Sequence, residues 1–264
     1  MARLFLPILA QALAKSCSNS DGTQLPDPIF TRTGNATEDV DDILARRRRE
    51  TFESCLWSAG KTDVFTDSWC CCSGKRVDCI EAPIREFPAM SLDVEYVYLD
   101  SSGLREIRVD STASVDLSPR TIELWMRNNK LTELDFGHLR AIPTLRLLVL
   151  QNNKINQTIN PAHAPESTKP AHPSLEVLEL PGNRFKSISN GTFPPLPALR
   201  NLSLASNQIE YLSEFAFAKC GNLSELILRG NYLKSENIGG FANLNNLVKL
   251  DLSHNLIQII RSVC

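Results

Sequence analysis

The sequence predicts an α/β-type solenoid: mostly β, irregular or short-helical on its convex side, with a parallel concave sheet and a cysteine-rich N-terminal cap. Three observations predict it. A short phrase carrying an asparagine recurs from residue 129 onward, at 24 residues in all but one interval. Within each copy the apolar residues alternate with polar ones, which is the signature of a strand buried on one face. A cluster of cysteines stands directly upstream of the first copy, where a stack of repeats would otherwise expose its core.

The copies are LWMRNNKL, LLVLQNNKI, VLELPGNRF, LSLASNQI, LILRGNYL and LDLSHNLI. Their asparagines are Asn129, Asn153, Asn183, Asn207, Asn231 and Asn255, at intervals of 24, 30, 24, 24 and 24 residues. Upstream, VYLDSSGL places Ser102 where the asparagine belongs, so the reading is about seven repeats. In Leu199-Arg-Asn-Leu202-Ser-Leu204 the period of two sets Leu202 and Leu204 on one face. No single repeat can bury that face alone, but stacked repeats share a continuous core.

This pattern resembles the leucine-rich repeat family, L-x-x-L-x-L-x-x-N-x-L, over roughly residues 70–264. The resemblance implies a curved horseshoe in which each asparagine amide bonds backbone groups of adjacent turns. Ser102 can do so only in part, so the first repeat is expected to be the least regular. Phe193, Phe217 and Phe241 recur at the same period and are expected to form a core column. Cys220, three residues after Phe217, takes an apolar position and reads as a buried free thiol. The long interval holds QTINPAHAPESTKPAHPS, whose prolines exclude regular strand or helix. His163 and His172 within it are expected to be solvated loop residues.

The cysteine cluster reads WCCCSGKRVDC over residues 69–79. Cys70, Cys72 and Cys79 match C-x-C-x6-C, the last three cysteines of the N-terminal caps in extracellular leucine-rich repeat proteins. CSGKRVDC followed by IEAPIREFP is similar to the caps of Slit-type proteins and small leucine-rich proteoglycans. That resemblance implies Cys70–Cys79 and, with Cys55 standing in for the family's first cysteine, Cys55–Cys72. Cys71 is surplus: it stays free or pairs with Cys17, Cys264 or another chain. A zinc site is the poorer match, since C-C-C with one distant cysteine lacks the paired C-x2-4-C spacing. No metal and no cofactor is expected.

The N-terminal MARLFLPILAQALAKS carries an apolar run too short for a membrane span and a small-residue A-x-A site, so residues 1–14 read as a secretory signal. A buried N-terminal helix is the alternative. Residues 15–50 are polar and turn-rich, ending in Arg46-Arg47-Arg48-Arg49. They read as a disordered leader or as a propeptide cleaved after Arg49. Residues 51–90 form the cap and 91–264 the repeats. Eight cysteines fit an oxidising compartment. So do N-x-[ST] sequons at Asn35, Asn156, Asn190, Asn201 and Asn222. The chain stops inside the last repeat at SHNLIQIIRSVC, which reads as a fragment or truncated isoform unless Cys264 joins another chain. Its exposed Leu250, Leu252, Leu256 and Ile259 are expected to drive self-association.

A net charge of −2 argues against nucleic acid as partner, and no segment after the signal is long and apolar enough to span a membrane. H-E-x-x-H, G-x-S-x-G and G-x-x-x-x-G-K-[ST] are absent, so no enzyme is expected. The resemblance implies a secreted or cell-surface module that binds a protein or glycan on its concave face, for adhesion, guidance or matrix recognition. The alternatives are a fragment of a Toll-like or other innate immune receptor, or the repeat region of a larger matrix enzyme. The partner face is expected in the N-terminal half, at Tyr96, Tyr98, Asp100, Glu123, Trp125, Arg127, Asn128 and Val149. The plainer reading of Trp125 is that it packs on Tyr98 and Val149.

Overall fold

The computed structural model describes residues 53–54, 71–79, 93–107, 119–159, 172–235, 240–241 and 244–258. The expected signal, the leader, Arg49, Asn35, Cys55, Cys70 and His163 lie outside them. The chain falls into two units, Met1–Ser73 and Gly74–Cys264. In the first, Glu53–Ser54 pairs antiparallel with Cys71–Ser73, with Glu53 opposite Cys72 and Ser54 opposite Cys71.

In the second unit, three-residue strands stack in parallel, the first from within residues 51–90 and then one per repeat. They are β1 (Arg76–Asp78), β2 (Tyr96–Tyr98), β3 (Glu123–Trp125), β4 (Leu147–Val149), β5 (Val177–Glu179), β6 (Asn201–Ser203), β7 (Glu225–Ile227) and β8 (Lys249–Asp251). The register is constant, so their central residues Val77, Val97, Leu124, Leu148, Leu178, Leu202, Leu226 and Leu250 face one another in a row. All but Leu250 are buried, and so is the second row two residues on: Leu99, Met126, Leu150, Leu180, Leu204 and Leu228. Each such side chain contributes about 1.5–3 kcal/mol by leaving water. The unit is the parallel-sheet solenoid the alternation predicts.

The convex side holds shorter pairings. Glu133–Asp135 runs parallel to Gln157–Ile159, and Ser187–Ile188 to Tyr211–Leu212. The four-residue helix α1 (Phe136–Leu139) follows Asp135, whose carboxylate caps it by accepting from the Gly137 N–H at 2.7 Å. The strand Gln157–Ile159 corrects the expectation that its segment is irregular throughout: the prolines begin only at Pro161 and leave the first residues free to pair.

The asparagines form the ladder the resemblance implies. The Asn207 Oδ1 accepts from the Phe185 N–H at 3.1 Å, while its amide donates to the carbonyls of Leu180 and Leu204, both at 3.0 Å. Asn153, Asn183, Asn231 and Asn255 repeat the arrangement. At the first turn the Ser102 hydroxyl reaches only the carbonyls of Cys79 and Asp100, at 2.8 and 3.3 Å. Serine thus completes part of the same bonding, as its single short hydroxyl dictates.

The residue before each ladder position is left-handed: Ser101, Asn128, Asn152, Gly182, Ser206, Gly230 and His254, with φ between 53° and 69°. There the chain turns off the strand, and asparagine and glycine tolerate that conformation best. At Gly182 space as well as φ is restricted, because a Cβ would lie 2.3 Å from the Asn152 Oδ1.

A further column runs Ile142, His172, Leu196, Cys220 and Leu244, all buried. His172 therefore corrects the expectation of a solvated histidine. His172-Pro173-Ser174-Leu175 repeats the register of Ile142-Pro143-Thr144-Leu145, so the imidazole fills an apolar position, 2.8 Å from the Ile142 carbonyl through Nε2. Burial holds its pKa below the usual imidazole range. Cys220 is a buried free thiol as expected, its pKa pushed up to about 12 by burial. Phe193 and Phe217 stack at 6.2 Å, while Phe241 is only half-buried.

Candidate partner-binding face

The side chains on the outer face of the sheet are set by the residues flanking each buried leucine. In β1 to β4 they form a connected polar and aromatic cluster. The guanidinium of Arg76 lies 4.4 Å from the Tyr98 ring centroid. Tyr98 stacks on Trp125 at 5.8 Å, and Arg127 stands 5.6 Å from the Trp125 ring. Cations over ring faces are attracted by the ring quadrupole. The Glu123 Oε2 accepts from the Trp125 Nε1 at 3.1 Å and the Tyr98 hydroxyl at 3.4 Å. Asp100 accepts from the Arg127 backbone N–H at 2.6 Å and from its guanidinium at 3.1 and 3.2 Å. Burial raises the Asp100 pKa, and the Arg127 charge and hydrogen bonds oppose that rise.

The expected contact residues thus come together, but in two tiers. Tyr98 and Trp125 are each 1% exposed and Glu123 0%; Asp100 and Val149 are also buried. Tyr96 and Arg127 are half-exposed, and Asn128 is exposed at its left-handed turn. Trp125 packs on Tyr98, as its plainer reading holds.

The later strands present a different surface. Val177, Glu179, Asn201 and Pro181 are half-buried and Ser203 is buried. The Glu179 pKa is raised to about 7, by burial first and by the nearby Glu225 charge, against a lowering hydrogen bond from Ser203. The Asn201 amide donates to the Glu225 carboxylate at 3.3 Å, while Asn156, Asn190 and Asn222 are exposed. Cys79 is buried and disulfide-bonded. Among the described residues no group of histidine, cysteine or acidic side chains is placed to hold a metal ion. No described helix is long and apolar enough to cross a membrane.

One short parallel strand per repeat, a leucine core and an asparagine ladder are the architecture of the leucine-rich repeat fold. Residues 173–233 match the family model for the leucine rich repeat. Among individual proteins the chain is similar to human epiphycan, at 26% identity over 137 residues, covering 52% of this chain and 35% of epiphycan. The chain therefore spans about a third of the length of that relative. It also resembles a chain of the solved octameric complex of Latrophilin 3, Unc5D and the leucine-rich repeat portion of FLRT2. That match has a TM-score of 0.54 and 20% identity, covering 72% of this chain and 63% of the other. A leucine-rich repeat protein of Leptospira interrogans superposes with a TM-score of 0.43 and 23% identity, over 63% of this chain and 39% of that one.

Proposed function

We propose that the chain is an extracellular recognition module that binds a protein through the outer face of its N-terminal repeats, in adhesion or matrix recognition. The observation that carries this reading is the Arg76–Tyr98–Trp125–Arg127 stack, beside which Tyr96, Arg127 and Asn128 reach the surface. Pre-ordered side chains lose little entropy on binding, and arginine and tyrosine are favoured where binding energy concentrates. The similarity to a chain of the complex containing FLRT2 repeats supports the protein-binding class. Disulfides Cys70–Cys79 and Cys55–Cys72 closing the cap, and glycans at the exposed sequons, belong to the same reading.

The test is a screen of the secreted chain against an array of purified extracellular proteins. Any protein captured is re-measured with Tyr96→Ala, Arg127→Ala and Asn128→Ala variants, and with a Lys249→Ala/Asp251→Ala control on β8. Affinity should fall by about 1–2 kcal/mol per substitution in the first set and hold in the control. Loss confined to the control would place the site on the last repeats and refute this reading.

A further inference from the structure

We propose that a second surface, the edge of the solenoid just beyond the carboxyl ends of β2 to β5, binds a linear sulfated polysaccharide. The proposal rests on the extracellular reading above but not on the sheet-face site.

Past each ladder position the chain alternates outward, inward, outward. The outward positions of four adjacent turns are Gly103 and Arg105, Lys130 and Thr132, Lys154 and Asn156, and Arg184 and Lys186, with Leu104, Leu131, Ile155 and Phe185 buried between them. Arg105, Lys130, Lys154, Arg184 and Lys186 are all exposed, and no carboxylate occupies any of these positions. Backbone bonds fix the alignment: the Lys130 N–H donates to the Leu104 carbonyl, Lys154 to Leu131 and Arg184 to Ile155, at 2.7–2.8 Å.

The opposite edge, before the amino ends of β1 to β5, treats its cations differently. There Lys75 pairs with Glu95, Arg120 with Asp93 and Arg146 with Glu176, at 2.5–2.8 Å. Among the described residues the five cations of the first edge take part in no ion pair. One edge is internally neutralised and the other leaves a single-sign stripe, although the whole chain carries a net charge of −2. A stripe of one sign raises the local concentration of oppositely charged ligand.

Spacing selects the ligand. Adjacent turns are about 4.8 Å apart, so the charges step once per turn over roughly 15 Å. Duplex nucleic acid offers a charge every ~1.7 Å, far denser than the stripe. An extended acidic peptide shows like-facing side chains only every ~6.6 Å. A polysaccharide carrying one anionic group on each successive sugar ring comes closest to one charge per turn, and heparin is the more densely sulfated probe of that class.

The probe is immobilised heparin, with the full chain eluted in a salt gradient. A variant carrying Lys130→Ser, Lys154→Ser, Arg184→Ser and Lys186→Ser is compared with an isocharged control carrying Lys75→Ser, Arg120→Ser, Arg146→Ser and Arg200→Ser. Arg46–Arg49 are present in every sample, and circular dichroism establishes folding. The stripe variant should elute at clearly lower salt, with the slope of log affinity on log salt reduced by about 3, on the order of 0.7–0.9 per lost contact. The control should elute with the parent. Equal shifts in both variants, or no shift in the stripe variant, would overturn the proposal. So would competition by desulfated heparin or by duplex DNA as effective as that by heparin itself. Failure here with protein capture intact would leave the sheet-face reading standing.

Discussion

Replacing Trp125 by alanine separates a buried scaffold from an exposed contact. The indole is 1% exposed, stacks on Tyr98, takes the Arg127 guanidinium on its face and donates its Nε1–H to Glu123. Truncating a buried tryptophan costs about 3–5 kcal/mol through lost burial and the cavity left behind. Of this the Tyr98 stack accounts for about 0.5–1.5 kcal/mol. Removing a donor from the buried Glu123 carboxylate contributes about 1–3 kcal/mol. Trp125→Phe keeps a ring in place and loses chiefly the donor, so it should cost about 1–2 kcal/mol. Urea unfolding followed by far-ultraviolet circular dichroism measures both, with the midpoint shifted and the slope unchanged. Trp125→Ala should be the more destabilised of the two by at least about 1.5 kcal/mol. If it instead unfolds within about 0.5 kcal/mol of the parent, the ring is solvent-facing and the scaffold argument fails.

Two further outcomes are expected. Asn207→Ala strands the Phe185 N–H and the Leu180 and Leu204 carbonyls inside the core, and should cost about 3–5 kcal/mol, whereas Ser102→Ala should cost about 1 kcal/mol; equal losses at the two sites would refute the ladder's role. Glu179 has a folded-state pKa raised from 4.5 to about 7, so the folded chain holds a proton the unfolded chain has released, and stability declines as pH rises through that window. Glu179→Gln should thus gain on the parent from pH 5 to pH 8, by about 1–2 kcal/mol after allowance for its partial exposure, and parallel stability curves across that range would contradict the assignment.

Much of the solenoid was legible because its determinants are local and repeated. The asparagine interval, the two leucine rows and the place of Cys220 follow from a register that every turn re-states. His172 is hidden in the sequence because the six-residue excess between Asn153 and Asn183 shifts the register just ahead of it, within a proline-rich segment. The signal that finds it is the Pro-x-Leu phrase at 173–175, which matches 143–145 and 197–199. The left-handed positions were hidden by chemistry: Ser206 and His254 adopt the same backbone as Gly182 and Gly230, and no residue type marks them all. The candidate face was legible in membership but not in depth. Sequence alternation says which side of a strand a residue takes. It cannot say that Tyr98, Trp125 and Glu123 turn toward one another and bury themselves.

The ladder also has a mechanical meaning. Each asparagine grips the turn before its own, so tension applied at the C-terminal end meets the same small set of bonds again at each successive turn. Such a chain should yield as a ratchet, one turn at a time, each release paying out roughly 80 Å of slack from a 24-residue repeat. The steps should stay even in force while the asparagines last. At Ser102 the grip weakens to a single hydroxyl on the Cys79 carbonyl, so that turn should release at lower force than the others. A solenoid built this way should lengthen under load in countable increments, one for each turn released.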